Sequence, residues 1–337
     1  MLVSEVPAFR DYWYPVAYSE EVGTKPVEVR LFGESLVVWR PGEAEVPSAA
    51  YNECPHRGAL LSQGWLEGGC LVCPYHGWRF DAAGACRAIP SQDPQLPIPP
   101  RARIRSVLAR EKYRLVWLCV GMPRADVPAL ADLDAGYTLI HELKEVWAAS
   151  APRMIDNALD VAHVAFVHRG TVGDPEHPRL SDFKVERQGE RLSFSVTLQS
   201  RVRGAQVANT GLSGVVNRTT HAELVQPFVF RGVLEYETGL RHVLYKTCSP
   251  VDDRHTLICQ FIGRNDNPPP DRWDAIAAVD RAVQREDRAL LEGIAPDFPL
   301  SPTAELHTRS DRMTIEYRRI LASLAAESGS APAGVAG

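Results

Sequence analysis

The chain has 337 residues, of which 45% are hydrophobic and 23% charged, and its formal net charge is -5 at pH 7. This composition is that of an ordinary globular protein with room for about two domains. The acidic balance argues against nucleic acid or an anionic membrane surface as the main partner. We find no apolar run of about eighteen residues and no signal-like N-terminus, so we expect neither a membrane span nor secretion.

The seven cysteines are an odd number and lack the spacing of a disulfide framework. Cys119 lies in a hydrophobic run and is most simply a small core residue of a strand. The cysteine pattern therefore favours a reducing compartment, and we expect a cytoplasmic protein.

The first third of the sequence predicts short β-strands. Residues 11–17 have the pattern of an entry strand, and residues 27–32 and 35–40 that of a hairpin. Another strand is predicted at 113–118. The proline-rich span 89–100 can be neither a helix nor a central strand. We therefore expect an all-β N-terminal domain.

Two short loops within this domain carry metal-binding side chains. Cys54 and His56 form a C-x-H motif, and Cys73 and His76 follow, after sixteen intervening residues, as C-x-x-H. This donor set is typical of a Rieske [2Fe–2S] centre, in which two cysteines hold one iron and two histidines the other. A tetrahedral zinc site is the alternative. Zinc fingers usually place cysteines in one arm and histidines in the other, whereas each arm here is mixed.

The second half of the chain has a different pattern. A helical segment begins near Pro152, alternating strands fill residues 180–262, and a Pro268–Pro270 break precedes an amphipathic helix at Asp271–Ile294. Strands enclosed by helices indicate an α+β domain. The small, polar residues 327–337 are expected to be disordered.

A second group of metal-binding side chains lies in the first helical segment. Asn157, Asp160 and His163 stand at i, i+3 and i+6, so they would share one broad face of a helix. His168 could reach the same ion as His163 only if the helix unwinds or bends between them. Gly170 lies where such an ending is expected. Capping of the helix end is the alternative role for Asn157.

Two histidines need a carboxylate to complete the 2-His-1-carboxylate triad of non-heme iron. On the helix at 271–294, Asp287 projects near the centre of the apolar stripe, where an unpaired charge is costly to bury. Glu286 falls at the edge of the stripe and is expected to be solvated. Asp280 is the alternative ligand, unless it pairs with Arg281 or Arg288.

The motifs Cys54-Pro-His56-Arg-Gly, Cys73-Pro-Tyr-His76-Gly-Trp and Asn157-x-x-Asp160-x-x-His163-x-x-x-x-His168 together resemble the oxygenase component of Rieske non-heme iron oxygenases. The resemblance covers nearly the whole chain. Its C-terminal segment, Ser310–Arg319, is similar to the subgroup of saxitoxin-pathway alkaloid hydroxylases. More widely, the chain resembles the vanillate and dicamba O-demethylase oxygenases.

The resemblance implies an α+β fold with three parts. An N-terminal all-β Rieske [2Fe–2S] domain would occupy residues 1–122, followed by a helix-grip (START-like) catalytic domain with an antiparallel sheet at 123–326. Residues 327–337 would be the disordered tail. A head-to-tail homotrimer is also implied, in which the Rieske domain of one subunit serves the catalytic domain of the next.

Site roles follow from the same resemblance. His163, His168 and Asp287 would bind mononuclear Fe(II), and Asp160 would connect that iron to His76 of the partner subunit. Asn157 would lie near the iron. Because the sequence has no Gly-rich nucleotide fingerprint, electrons from NAD(P)H would arrive through a ferredoxin, a flavin reductase or both.

The implied function is that of a monooxygenase, which uses O2 to hydroxylate a C–H bond of a small organic substrate or to demethylate it. Cis-dihydroxylation of an aromatic ring, electron transfer by a Rieske ferredoxin-like carrier, and a scaffold with only structural metals are the alternatives. Residues 200–262 are expected to line the substrate pocket, with apolar walls from Val225–Phe230 and Tyr236. Arg231 or Arg241 could pair with a substrate carboxylate.

Overall fold

The computed structural model describes residues 1–42 and 45–329, and the chain folds into two units. Arg10–Val127 forms one unit, while Met1–Phe9 joins the chain from Pro128 onward in the other. The boundary falls in the proline-containing segment 122–128. Residues 1–9, which were predicted to belong to the N-terminal domain, are grouped with the second unit.

The N-terminal segment packs on the second unit, where Ser4 donates two hydrogen bonds of 2.8 Å to the Asp253 carboxylate. The ring of Phe9 packs edge-on against that of Phe228, with centroids 5.0 Å apart. The amino group of Met1 donates to the carbonyl oxygen of Phe298 at 3.1 Å. Phe228 and Phe298 are far from residues 1–9 in the sequence. The sequence pattern therefore did not indicate that these residues belong to the second unit.

The first unit is all-β, as predicted. Its strands are β1 (Tyr14–Tyr18), β2 (Val27–Leu31), β3 (Glu34–Trp39), β4 (Ser48–Tyr51), β5 (Trp65–Glu67), β6 (Cys70–Val72), β7 (Arg79–Phe80), β8 (Cys86–Ala88), β9 (Ser106–Lys112) and β10 (Leu115–Cys119). They form a six-stranded sheet in the order β1-β10-β9-β4-β3-β2 and a four-stranded sheet in the order β5-β6-β7-β8. The proline-rich span 89–100 contains neither a helix nor a strand, which confirms the prediction.

The predicted hairpin is formed by β2 and β3, paired in register from Val27↔Val38 to Leu31↔Glu34. Its two turn residues, Phe32 and Gly33, have φ values of 54° and 78°. A two-residue hairpin turn needs positive φ at both central positions, so that its twist matches that of the strands.

The second unit has a helix-grip arrangement. Its elements are α1 (Ala131–Asp134), β11 (Thr138–Trp147), α2 (Ala151–Leu159), α3 (Val164–Val167), β12 (Val185–Gln188), β13 (Arg191–Val202), α4 (Ala205–Thr210), β14 (Gly214–Gln226), β15 (Val229–Glu235), β16 (Arg241–Pro250), β17 (Thr256–Arg264), α5 (Trp273–Leu291) and α6 (Arg312–Gly329). All seven strands pair antiparallel in the order β11-β17-β16-β15-β14-β13-β12. Strand β11, which forms one edge of this sheet, was not predicted from the sequence.

Helix α5 packs against β11 and presents a mixed face to the interior. Ile276 and Val279 are buried, and so are the polar residues Asp280, Gln284 and Asp287. The predicted burial of Asp287 is thus confirmed. The apolar stripe was predicted to include Leu290 and Ile294, but these residues are 46% and 37% exposed, so the buried stripe is shorter than predicted.

The first helical segment is broken where the sequence analysis expected continuity. Helix α2 ends at Leu159, and Asp160 has extended backbone angles, φ -81° and ψ 120°. The carboxylate of Asp160 accepts a hydrogen bond from the Ala162 amide at 2.7 Å, a local turn that competes with the helix. The prediction that Asn157, Asp160 and His163 share one helix face is therefore wrong.

The two histidines were predicted to reach one ion only if the helix unwinds or bends between them. The single-turn helix α3 lies between them, with His163 at its N-terminal and His168 at its non-helical C-terminal boundary. One helical turn with a histidine at each end allows both rings to face the same point.

At the C-terminus, α6 continues to Gly329 and so includes the first residues of the predicted disordered tail. Residues 330–337 of that tail lie outside the described residues. None of the helices in the described part of the chain combines the length and hydropathy needed to cross a bilayer.

Two candidate metal centres

The two cysteine–histidine loops have the same backbone hydrogen-bond pattern. The Cys54 amide donates to the Ala59 carbonyl at 2.9 Å, and the Cys73 amide donates to the Trp78 carbonyl at 2.8 Å. In each loop the glycine four residues after the cysteine, Gly58 or Gly77, donates back to the cysteine carbonyl, at 2.9 and 3.0 Å. These glycines have φ values of 71° and 69°, which a residue with a Cβ rarely adopts.

This pattern buries the thiols and exposes the imidazoles. Cys54 and Cys73 are 3% and 1% exposed and pack among Leu61, Leu71 and Phe80. The rings of His56 and His76 are exposed, with centroids 4.6 Å apart. Two thiolates inside and two imidazoles at the surface match the donor set of a Rieske cluster with one solvent-facing iron.

The chemistry of the thiol pair fits a bound cation. Burial raises the pKa of Cys54 to about 11, and the neighbouring Cys73 adds to this rise. The Cys54 thiol would therefore stay protonated at neutral pH unless a metal binds it.

The second candidate centre brings together His163, His168 and Asp287. Asp287 Oδ1 lies 3.5 Å from His163 Nε2 and 3.3 Å from His168 Nε2. One ligand atom from each residue lies within 4.8 Å of the other two. His168 and Asp287 are each 3% exposed. The ligand set predicted from sequence is therefore assembled in space, from α3 and α5.

The charges at this centre favour a cation. Burial would raise the pKa of Asp287, but His163 and His168 hold it well below its usual range. Burial would lower the pKa of His163, but Asp160 and Asp287 raise it to about 9. A proton on the His163 ring is thus stabilised by the neighbouring carboxylates. A divalent metal ion can occupy the same place between the carboxylate and the rings.

Each histidine has a carboxylate on its other ring nitrogen. His163 Nδ1 lies 3.4 Å from Asp160 Oδ2, and His168 Nδ1 lies 3.0 Å from Glu286 Oε2. The hydrogen bond at His168 fixes the tautomer that leaves Nε2 free to bind a metal, whereas Asp160 contacts His163 Nδ1 at ion-pair distance only. Thr171 Oγ1 also donates to Glu286 Oε2 at 2.7 Å.

Glu286 contacts the triad, although the sequence did not predict this. Its side chain is 24% exposed, so it is partly solvated as expected, but its carboxylate also lies 3.0 Å from His168 Nδ1. The feature of the sequence that could have indicated this contact is the position of Glu286 next to Asp287. Helical periodicity alone could not show that the loop after α3 would approach its side chain.

The other predicted residues are placed as follows. Asn157 Nδ2 donates to Asp287 Oδ1 at 3.3 Å, so Asn157 contacts the triad. Asp280, the alternative ligand, instead lies 3.0 Å from His242 Nε2 and in a group with Glu142. Asp280 does not pair with Arg281 or Arg288, because these arginines contact Asp274 and Glu145.

Neither arginine suggested for a substrate carboxylate is free to take one. Arg231 Nε donates to Asp132 Oδ2 at 2.7 Å, and Arg241 Nε lies 3.1 Å from Glu235 Oε1. The cavity beside the triad is lined by Arg218 and Lys246 instead. Of the predicted apolar walls, Phe230 lines it.

Comparisons with known proteins agree with these two centres. Residues 12–107 match the Rieske [2Fe–2S] domain, and residues 147–327 match the vanillate O-demethylase oxygenase C-terminal domain. Methylxanthine N3-demethylase NdmB of Pseudomonas putida is 30% identical, over 94% of this chain and 90% of the relative.

Two solved structures are similar to this chain over nearly its whole length. Pseudomonas putida CBB5 NdmA with caffeine superposes with a TM-score of 0.83 at 27% identity, covering 96% of this chain and 93% of that one. Dicamba monooxygenase bound to 3,6-dichlorosalicylic acid has a TM-score of 0.81 over 96% and 99% of the chains. At 21% identity, the latter shows the fold alone.

The chain belongs to the Rieske oxygenases with a vanillate O-demethylase type of C-terminal domain. It is an oxidoreductase that incorporates oxygen, and its cofactors are a [2Fe–2S] cluster and mononuclear iron. As a terminal oxygenase, it demethylates or hydroxylates a small substrate.

The cluster loops generate a first prediction. A Gly77→Ala substitution places a Cβ at φ 69° and 3.2 Å from Pro90 Cγ, so we expect the loop to be destabilised by about 1–2 kcal/mol. The visible absorbance of the cluster should be lost at lower denaturant concentration than in wild type.

Gly33→Ala is the matched control, because Gly33 has φ 78° with no atom near its Cβ position and lies in the β2–β3 turn. This variant should keep a full complement of cluster. Identical cluster content and stability in the Gly77 and Gly33 variants would contradict the role assigned to the loop.

Glu286 generates a second prediction. Glu286→Gln keeps the shape of the side chain but removes the charge beside His168, and we expect iron affinity at the triad to fall about 10- to 100-fold. Chelator competition with iron quantification measures this. Glu237→Gln, at an exposed turn position, should have no effect. Equal iron retention by the two variants would show that Glu286 does not support His168.

Proposed function

We propose that Cys54, His56, Cys73 and His76 bind the [2Fe–2S] cluster and that His163, His168 and Asp287 bind mononuclear Fe(II). The observation that carries the second assignment is the convergence of three ligand atoms beside a cavity, from the buried residues His168 and Asp287 and the half-buried His163. Two imidazoles and one carboxylate on one side of an ion leave positions for O2 on the other, as in non-heme iron oxygenases. Bound here, ferrous iron supplies the reduction of O2 that an oxygenase needs.

The surrounding residues hold these ligands in place. Asn157 donates to Asp287 Oδ1, and Lys246 Nζ lies 3.9 Å from Asp287 Oδ2, so both carboxylate oxygens have a neighbour that limits rotation. Asp160 and Glu286 orient the two rings. We propose that Asn157 positions the carboxylate and takes no part in proton transfer.

Asp160 is the residue we propose for electron transfer into the site. Its side chain is 33% exposed, while His163 beside it is 14% exposed. A partner chain can therefore reach Asp160 from the surface. In our proposal His76 of the partner subunit contacts Asp160 within a head-to-tail homotrimer, so that an electron passes through Asp160 and His163.

Electrons must come from outside the chain. We propose a ferredoxin, a flavin reductase or both as the partner that passes electrons from NAD(P)H to the cluster. The free cysteines support the cytoplasm as the place where this occurs.

We propose demethylation of a small methoxy- or N-methyl compound as the net reaction. One oxygen atom of O2 enters the methyl C–H bond and the other leaves as water, with two electrons and two protons consumed. The hydroxymethyl product then releases formaldehyde. Methylxanthine N3-demethylase NdmB, which is 30% identical over 94% of this chain, supports this choice over ring dihydroxylation.

The iron assignment gives a third prediction. Asp287→Asn should reduce iron from three to two per chain, because the triad loses its only carboxylate while the cluster is unaffected. Iron quantification together with cluster absorbance measures both centres. Asp280→Asn, another buried aspartate on α5, should retain three. If Asp280→Asn lost the iron and Asp287→Asn kept it, the ligand would be misassigned.

The relay gives a fourth prediction. Asp160→Asn should bind both metals yet lower substrate-dependent O2 consumption at least about 10-fold, because the carboxylate that supports His163 is gone. Mixed trimers formed with a cluster-free His76→Ala chain should regain part of the rate, because the intact cluster of the Asp160→Asn chain can then reach the intact Asp160 of its neighbour. Wild-type turnover by Asp160→Asn would rule out the proposed route.

A further inference from the structure

A second group of possible metal ligands is buried in the second unit, separate from the iron triad. Glu142 on β11, His242 on β16 and Asp280 on α5 are 5%, 4% and 8% exposed. One ligand atom from each residue lies within 4.8 Å of the other two. The function proposed above uses none of these three side chains.

The backbone of β11 is irregular at Glu142. His141 pairs with Phe261 and Leu143 pairs with Gln260, so Glu142 is the extra residue of a β-bulge. A bulge changes the direction of a side chain and is frequent beside functional sites. Gln260 Nε2 donates to Glu142 Oε2 at 2.8 Å. This hydrogen bond holds the carboxylate and leaves its other oxygen, Oε1, for a different partner.

Three buried atoms of this group have no hydrogen-bond partner within residues 1–42 and 45–329, namely Glu142 Oε1, His242 Nε2 and Asp280 Oδ2. The last two lie 3.0 Å apart, at ion-pair distance but without the alignment of a hydrogen bond. A buried polar atom without a partner is costly, and native structures normally satisfy such atoms. Three of them this close together indicate a shared partner.

Protons alone could fill part of this role. Burial and the nearby Asp280 raise the pKa of Glu142 well above its usual value, so without a metal Glu142 would be neutral and share its proton with Asp280. A divalent cation would displace that proton and contact all three residues at once. Two carboxylates and one neutral imidazole around such a cation form a group without net charge, which suits a buried place.

The arginines that act on this group have carboxylate partners of their own. Arg264 Nη2 lies 2.6 Å from Asp266 Oδ2, and Arg281 Nη2 lies 2.6 Å from Asp274 Oδ1. Each of these two positive charges is therefore balanced by a carboxylate outside the group. The two carboxylates of the group are left to be balanced by protons or by a metal ion.

We propose that Glu142, His242 and Asp280 bind a structural Zn2+ ion. Imidazole nitrogen and carboxylate oxygen are both zinc ligands, whereas Mg2+ prefers oxygen ligands alone. Structural zinc usually has four ligands. Gln284, one turn further along α5 and 6% exposed, has a buried Oε1 that is unpaired in the described part of the chain, so a fourth oxygen donor lies on the same face of the helix.

A metal ion at this place would join three elements of the fold. Asp280 and Asp287 are seven residues apart on α5, or roughly 10 Å along the helix axis. Zinc bound by Asp280 would tie α5 to β11 and β16, and so would hold the helix that carries the carboxylate of the triad. This inference goes beyond the proposed function, because zinc binding needs neither electron transfer nor O2.

The first test measures the metal content of the holoenzyme. The iron-loaded chain is dialysed anaerobically against low-micromolar free Zn2+, with a parallel sample in Mg2+, and all metals are quantified together. We expect one zinc per chain in addition to three irons, and no bound magnesium. No retained zinc would overturn the inference. One zinc gained for each iron lost would also overturn it, because zinc would then have entered the triad.

Anomalous diffraction above and below the zinc edge locates the ion in crystals of the zinc-loaded holoenzyme. We expect a zinc peak within bonding distance of Glu142, His242 and Asp280. A peak found only at the partly exposed group of Asp174 and His177 would contradict the inference. Wild type with two irons per chain before zinc is added would instead show failure of the proposed function, which is a separate result.

Matched substitutions assign the zinc to this group. Asp280→Asn and Glu142→Gln each remove one charge with little change in shape, so both should lose the zinc while they keep three irons and full cluster absorbance. Glu145→Gln is the control, because Glu145 is also on β11 but pairs with Arg288, and this variant should keep one zinc. Equal zinc retention by all three variants would overturn the inference.

Thermal unfolding provides a second measurement on the same proteins. A ion that binds the folded chain raises its unfolding temperature. Zn2+ should therefore raise the unfolding temperature of wild type and of Glu145→Gln, and leave that of Asp280→Asn unchanged. The same rise in Asp280→Asn as in wild type would show that the stabilising zinc is bound elsewhere.

Discussion

The catalytic unit depends on a buried carboxylate that two imidazoles surround. Asp287 lies on α5 at 3% exposure, within 3.5 Å of His163, His168 and Asn157, and Lys246 Nζ is 3.9 Å from its other oxygen. An isolated ionised carboxylate in such a place would cost several kcal/mol. A metal bound by Asp287, His163 and His168 removes that cost, so metal binding and the fold of α3 against α5 stabilise each other.

The break between α2 and α3 makes this geometry possible. A continuous helix would carry His163 and His168 to different sides, about 140° apart. By ending α2 at Leu159, the chain places the histidines at the two boundaries of one turn, and the same Asp160 that forms the local turn also lies beside His163. Asp160 thus accepts a backbone hydrogen bond in the local turn and also contacts the ring of His163. Its side chain is 33% exposed, as the proposed contact with a partner subunit requires.

Sequence reasoning succeeded where the determinants are local. Both cysteine–histidine loops are short and self-contained, so spacing and glycine position were sufficient, and the amphipathic pattern of α5 was enough to place Asp287 inside. It failed where distant segments meet. The contact of Glu286 with His168, the pairing of Asp280 with His242, and the position of Arg218 in the cavity depend on the register of a sheet and the path of a loop. These contacts cannot be predicted from a periodic pattern in the sequence.

Anomalous X-ray diffraction at the iron edge, on crystals of the purified holoprotein, tests the central claim most directly. The account predicts one peak within bonding distance of His163, His168 and Asp287, and a pair of peaks between the loops at Cys54–His56 and Cys73–His76. An iron-free triad in a crystal whose cluster is fully occupied, or an ion bound by Asp280 and His242 instead, would contradict it.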